Sequence, residues 1–416
     1  MSEAAPTSNR EPLVLLIDDR EDQRDFADAI GDRGVRAVFA LPDDVDADLL
    51  SRATTVVVDQ YLDSWPGRSE RALPVSLEVP DGLSLVAVLR SHVEGSAHRT
   101  GRPQVPVAFA LRTGEFDALG AGLPRAARAH LLASQYNLEW VFDKAEQTAP
   151  HQSSPSARVA ALARATAELP TEWGSGTDDP GLRWLALPDE PWAEDARWQI
   201  EQCRPPQHVI AERTAGRAWL RWFLHRILPF PTFLLDRRRV ALVLGLEEDS
   251  LDDVVDGHGP LTRHLAALRY AGPLDSFLGE RWWRAGLSHL ITEILDDSDG
   301  DLADARAIAA ALADFHGTPL VPVAPDRPVL RVGADYTTLP RPITINDAVR
   351  LQPDGWPPYA DEAWASRSDL DDEESDPELQ ALVVSSDRWR LQRNLADDTY
   401  TSDGVLENEP SEADSH

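Results

Sequence analysis

Apolar positions in the first 150 residues fall into two alternating rhythms. LVLLID (13–18) is an unbroken apolar run closing on acids, the pattern of a strand buried on both faces. VRAVFAL (35–41), TTVVVDQYL (54–62), VPVAFAL (105–111) and LEWVFD (138–143) repeat it. Between them the spacing becomes helical. Residues 20–33 are polar with Phe26, Ala29 and Ile30 on one side, and LSLVAVLRSHV (83–93) and 115–135 follow the same rule. A stretch rich in proline and charge (63–80) interrupts the third strand and the next helix. Strand–helix alternation of this kind predicts a doubly wound, five-stranded parallel sheet.

From about 155 the pattern is mostly helical. Candidate helices cover 159–169, 194–203, 218–228, 238–246, 281–295 and 303–317, the last ending on Gly317, a suitable C-cap. Residues 318–365 are proline-rich and read as strand or irregular. The expected organisation is a disordered 1–10, an α/β domain over 11–147, a linker with one helix over 148–190, a tryptophan-rich helical domain over 191–365, and an acidic, largely disordered tail over 366–416.

Composition narrows the functional classes. The 416 residues carry 40 basic and 71 acidic side chains, net −31, which disfavours nucleic-acid backbones as partners. Seven carboxylates lie within 369–378, as in a solvated tail. No apolar run is long enough to span a bilayer, and the opening MSEAAPTSNREP lacks an apolar signal core, so the expected compartment is the cytoplasm. The single Cys203 excludes a disulfide framework and a multi-cysteine zinc site. Of the 40 basic residues 39 are arginine, so Lys144, the one lysine, marks a place where a primary ammonium is needed.

In an open parallel sheet, ligands sit beyond the carboxyl ends of the strands. Here strand one ends on Asp18 and Asp19, strand three on Asp59, and strand five at Lys144. Carboxylates gathered this closely call for a cation, and oxygen ligands suit Mg²⁺. With an ammonium beside them, the set fits phosphoryl transfer to an aspartate nucleophile.

At these residues, over roughly 11–147, the chain resembles the receiver domain of two-component response regulators. LLIDDRED resembles the first strand with its acidic pair, VVVDQYL the third, PDGLSLVAVLR (80–90) the turn and helix after it, VPVAFAL the fourth strand and FDK the end of the fifth. The resemblance implies Asp59 as phosphoacceptor. It gives Asp18 and Asp19 as Mg²⁺ ligands, with Asp59 and the Gln60–Tyr61 backbone assisting, and Lys144 as the contact to the phosphoryl group. The hydroxyl expected at the end of strand four is replaced by Leu111; Thr113, two residues on and on the same strand face, can serve if the strand runs long. The inserted 63–80 lies beside this rim.

The second half offers less chemistry. RAWLRWFLHRILPFPTFLLD (217–236) reads as a helix burying Trp219, Trp222, Phe223, Ile227 and Phe230, with Arg217, Arg221 and Arg226 snorkelling. VALVLGLEEDSLDDVV (240–255) has helix-turn-helix spacing at Ala241, Gly245 and Leu251. Its second helix would carry Glu247, Glu248, Asp249, Asp252 and Asp253, so protein contact is expected rather than DNA. If Trp282 and Trp283 lay on a helix they would point about 100° apart, leaving one to face a partner or another segment. His225, His258, His264 and His289 form no metal-binding spacing, and no hydrolase or nucleotide-binding motif is present. The expected function is a response-regulator-like protein phosphorylated by a histidine kinase and acting through protein contacts, with no enzyme activity beyond self-phosphorylation and dephosphorylation at Asp59. The alternatives are an unphosphorylated receiver used as a scaffold or adaptor in a signalling or defence assembly, and a DNA-binding response regulator. Oligomeric state stays open.

Overall fold

The computed structural model describes residues 10–65, 79–100, 105–146, 153–173, 179–296, 304–371, 376–388 and 391. The expected disordered 1–10 lies outside them except for Arg10, as do 66–78 of the inserted segment and 392–416 of the acidic tail.

Five parallel strands form one sheet in the order β2-β1-β3-β4-β5: β1 Leu13–Ile17, β2 Arg36–Ala40, β3 Thr55–Asp59, β4 Ala108–Thr113 and β5 Trp140–Asp143. The strand order reverses between β1 and β3, the switch point of a receiver-like doubly wound fold, where a crevice opens at the carboxyl ends. Side chains alternate in direction along each strand, so each strand feeds two layers. Val14, Leu16, Val57, Ala108 and Ala110 face helix α1 (Arg24–Gly31). Leu15, Ile17, Val56, Val58, Phe109 and Leu111 face α2 (Ala47–Arg52), α3 (Gly82–Thr100) and α4 (Arg128–Gln135).

The segment expected as a linker supplies the second helix of the α1 layer. Helix α5 (Pro155–Ala167) starts with Pro155 behind the Ser154 cap and buries Val159, Ala160, Leu162 and Ala163 in the cluster that holds Val14, Leu16 and Val57. That cluster continues without a break into the helical region, where Trp140 meets Phe277 edge-on at 5.0 Å. The chain therefore divides elsewhere than at 147, 190 or 365. One compact unit is Met1–Val323 with Gly355–Asp361, and the other is Ala324–Asp354 with Glu362–His416.

The first unit's helical part contains α6 (Ala193–Cys203), α7 (Arg217–Trp222), α8 (Arg237–Val243), α9 (Glu248–Asp256), α10 (Pro260–Ala267), α11 (Arg284–Asp296) and α12 (Ala305–His316). Helix α7 runs on into a π-helical turn, Phe223–Ile227, and a second π-helical turn spans Val209–Arg213. Trp282 and Trp283 are not helical. They form a two-residue strand, β7, antiparallel to β6 (Leu234–Leu235), and both are 1 % exposed. Strand neighbours point to opposite faces, so both indoles bury and neither is left for a partner.

In the second unit β8 (Pro328–Val329) pairs with β9 (Ile343–Thr344), and β10 (Ala348–Leu351) with β11 (Ala363–Ser366), all antiparallel. The described part of the expected tail is packed rather than solvated. Leu379 and Val383 are buried there, and Asp387 binds Arg350 at 2.8 Å.

Candidate functional site: an acidic rim with one lysine

Parallel register sets the rim. Ile17 lies beside Val58, so the residues that follow, Asp18 and Asp59, emerge together at the crevice. Asp19 joins them, and carboxylate oxygens of Asp18, Asp19 and Asp59 lie within 4.8 Å of one another. All three are buried, Asp18 at 1 % and Asp59 at 4 % exposure. Lys144 is placed from the far side, its amide donating to the Thr113 carbonyl at 2.8 Å. Its Nζ then reaches Asp18 Oδ2 at 3.0 Å and Asp59 Oδ1 at 2.8 Å.

One ammonium does not balance three buried carboxylates. Burial first, and then the neighbouring Asp18 and Asp19 charges, push the Asp59 carboxyl up to about 6 against the pull of Lys144. Burial also raises Asp19, opposed by the Ser64 amide, which donates to Asp19 Oδ2. Asp18 Oδ1 accepts the Arg20 amide at 3.1 Å. A cluster of hard, anionic oxygens with residual negative charge suits Mg²⁺, and the three aspartates are the residues that would hold it. Among the described residues no other group of three acids, histidines or cysteines comes together in this way.

The loop after β3 closes on the same rim. Gly82 donates to the Gln60 carbonyl at 2.9 Å, and a Cβ on it would stand 1.9 Å from the Asp59 carbonyl oxygen, so only glycine fits. Asp81 Oδ1 accepts the Ser84 amide at 2.8 Å and caps α3.

The remaining expected site residues fare differently. Strand β4 does run to Thr113, but the residue abreast of Asp59 is Arg112, and the Thr113 hydroxyl accepts the Glu115 amide at 3.1 Å. Leu111 lies in the apolar core. Tyr61 follows Asp59 by two residues, with its ring exposed. Arg112 was not singled out in the sequence, where it is one arginine among 39. Its guanidinium stacks 3.9 Å from the centre of the Phe26 ring and donates to Gln23 Oε1 at 2.6 Å. Burial lowers its proton affinity while Asp18 and Asp59 raise it, so a second cation borders the acids. Only its register beside Asp59, visible once β3 and β4 pair, could have pointed to it.

The helix-turn-helix spacing folds as helix, turn and helix. Gly245 adopts φ +66 where a Cβ would meet the Ala305 carbonyl at 2.2 Å, and Ala241 and Leu251 are buried. Of the α9 acids, Asp252 is held by Arg237 at 2.7 Å and Glu248 by Arg238 at 2.8 Å, while Asp249 and Asp253 are exposed. No described helix is long and apolar enough to cross a membrane.

No family model matches the chain, and no curated protein is similar to it in sequence. The similar solved structures include response regulators. NtrX from Brucella abortus in complex with ADP is 17% identical, over 46% of this chain and 34% of that one, at a TM-score of 0.24. The response regulator ChrA of a heme-sensing two-component system is 13% identical, over 62% and 90%, at 0.22. RcsB, as dimers bound to DNA, is 14% identical, over 52% and 98%, at 0.21. The matched part is about a third of the NtrX chain. At such scores the likeness carries no functional weight, and the reading below rests on the rim.

Proposed function

We propose that the chain is a response-regulator-like signalling protein whose Asp59 accepts a phosphoryl group from a histidine kinase. The observation that carries this is the placement of Lys144 Nζ, within 3.0 Å of both Asp18 and Asp59 inside the acid cluster. In the transfer an Asp59 oxygen attacks phosphorus, an acyl phosphate P–O bond forms, and the donor's P–N bond breaks with its electrons returning to the imidazole. Asp59 must be ionised to attack, and burial opposes that, so the cations beside it matter. Mg²⁺, held by Asp18, Asp19 and Asp59, would supply charge neutralisation for the phosphoryl oxygens. Lys144 exchanges its contact with Asp59 for one with a phosphoryl oxygen while keeping Asp18. Arg112, abreast of Asp59, supplies positive charge where Leu111 offers none. The output is through protein contacts, since the acids of α9 repel DNA.

The test is incubation of the purified protein with acetyl phosphate and Mg²⁺, read by intact mass. The expected result is a gain of one phosphoryl group that Asp59→Asn and Lys144→Met abolish. No gain, or a gain that survives Asp59→Asn, rejects the proposal. One observation favours the scaffold reading. Asp19 Oδ2, one of the oxygens open to a metal, already accepts the Ser64 amide, which holds the loop on the rim without one. On that reading Asp59→Ala leaves partner capture unchanged.

A further inference from the structure

A cavity of about 380 Å³ opens where α4 and the turn after it meet the two π-helical turns. Its volume is that of a small-molecule site. Its lining combines the polar Asn137, Arg221, His225 and Arg226 with the apolar Val209, Ala218 and Trp222.

Two guanidiniums and one amide belong to this lining. Arg221 gives Nε to Glu139 Oε1 at 2.6 Å and Nη1 to Asn137 Oδ1, while its Nη2 is buried with no hydrogen-bond partner. Asn137 accepts that bond through its oxygen, which leaves its amide hydrogens to donate. Arg226 commits Nη1 to the Gly355 carbonyl at 2.6 Å and lines the cavity as well. Glu139 is fully buried and neutralises only one of the two guanidiniums. The lining therefore keeps one guanidinium, Arg226, that no carboxylate among the described residues pairs with, and that charge favours an anion. Both π-helical turns border it through Val209 and Arg226, and such turns recur at ligand sites.

We propose that this cavity binds a small organic anion, its acid group on Arg221 and Arg226 and its apolar body against Val209, Ala218 and Trp222. The site stands apart from the acidic rim and does not depend on phosphorylation.

Benzoate is a suitable probe because it joins a carboxylate to a flat apolar ring. Isothermal titration of the full chain, with chloride holding the ionic strength constant, should show one saturable benzoate site. Formate, the acid group alone, should bind at least tenfold more weakly. Arg226→Met should weaken benzoate at least tenfold, and Ala218→Leu, which keeps both arginines and fills the apolar wall, should do the same. Circular dichroism checks that both variants fold. The absence of a saturable site in the wild-type chain overturns the proposal. So does binding retained by either folded variant, or formate binding as tightly as benzoate.

Discussion

A buried carboxylate with a raised proton affinity stores free energy that a cation can release, and Asp59 is in that condition. Its folded value is about 6 against an ordinary 3.8, so at neutral pH it is still mostly ionised, but its charge costs the fold more than it costs the unfolded chain. The folded protein then binds a proton at Asp59 more readily than the unfolded chain between those values, so this group's own contribution to stability rises as pH falls from about 6 towards 3.8, against the larger opposite contribution of the buried His130 and His225. Asp59→Asn removes the charge and loses the Lys144 contact. The net gain should be on the order of 1–3 kcal/mol at pH 7, because each tenfold rise in proton affinity is worth roughly 1.4 kcal/mol. A thermal melt reads it as a higher midpoint for the variant, with Mg²⁺ raising the wild-type midpoint and leaving the variant's unchanged. Gly82 makes the opposite case. Its substitution by alanine drives a methyl into the Asp59 carbonyl, and a loss of about 2 kcal/mol or more is expected from a strained, tightly packed turn. An unfolding free energy from urea lowered by less than that amount would show that the loop moves aside freely.

At the scale of elements, β5 is an edge strand of the sheet, and the helical part packs against the residue that precedes it. Glu139, just before β5, gives its carboxylate to the Phe109 amide and Arg221, and its carbonyl faces His225 Nε2 at 2.9 Å. A carbonyl only accepts, so Nε2 carries a proton. Arg221→Met should cost about 3–5 kcal/mol, because it strands a fully buried carboxylate. Denaturant unfolding measures it. Burial also pushes His225 down to about 4 and His130, in α4, down to about 3. Both are depressed below the ordinary 6.5, so the stability that rests on their neutral rings is complete above about pH 6.5. It is lost as pH falls through 4 and then 3. Urea midpoints should decline below pH 6.5, and His130→Leu should flatten the decline. Legibility also divides by element. Continuous apolar runs marked all five strands, and the ends of the first, third and fifth marked Asp18, Asp19, Asp59 and Lys144. The Trp282–Trp283 strand was misread because two residues set no period, and only their pairing with Leu234–Leu235 makes them β. Arg112 stayed hidden because strand register is a property of two segments 53 residues apart in sequence, as Asp59 and Arg112 are.

At the scale of the molecule, the receiver-like fold is not a detachable module. Residues 11–147 alone would lack α5, the helix whose Val159, Ala160 and Leu162 cover Val14, Leu16 and Val57, and would expose Trp140 and Phe142. That fragment should bind hydrophobic dyes and lack near-ultraviolet dichroism, whereas the full chain should melt with a sharp transition in that signal. A fragment with native near-ultraviolet dichroism would show that the sheet folds without its fifth helix. The sequence by itself determined what composition and local periodicity encode. These are the parallel sheet, the acids at its strand ends, the singular lysine and the burial of the aromatic helix. Only the tertiary structure decided where the compact units divide, which arginine stands beside Asp59, and that a donor-lined cavity exists. Each of those depends on side chains far apart in sequence meeting in space, and no local period along the chain records such meetings.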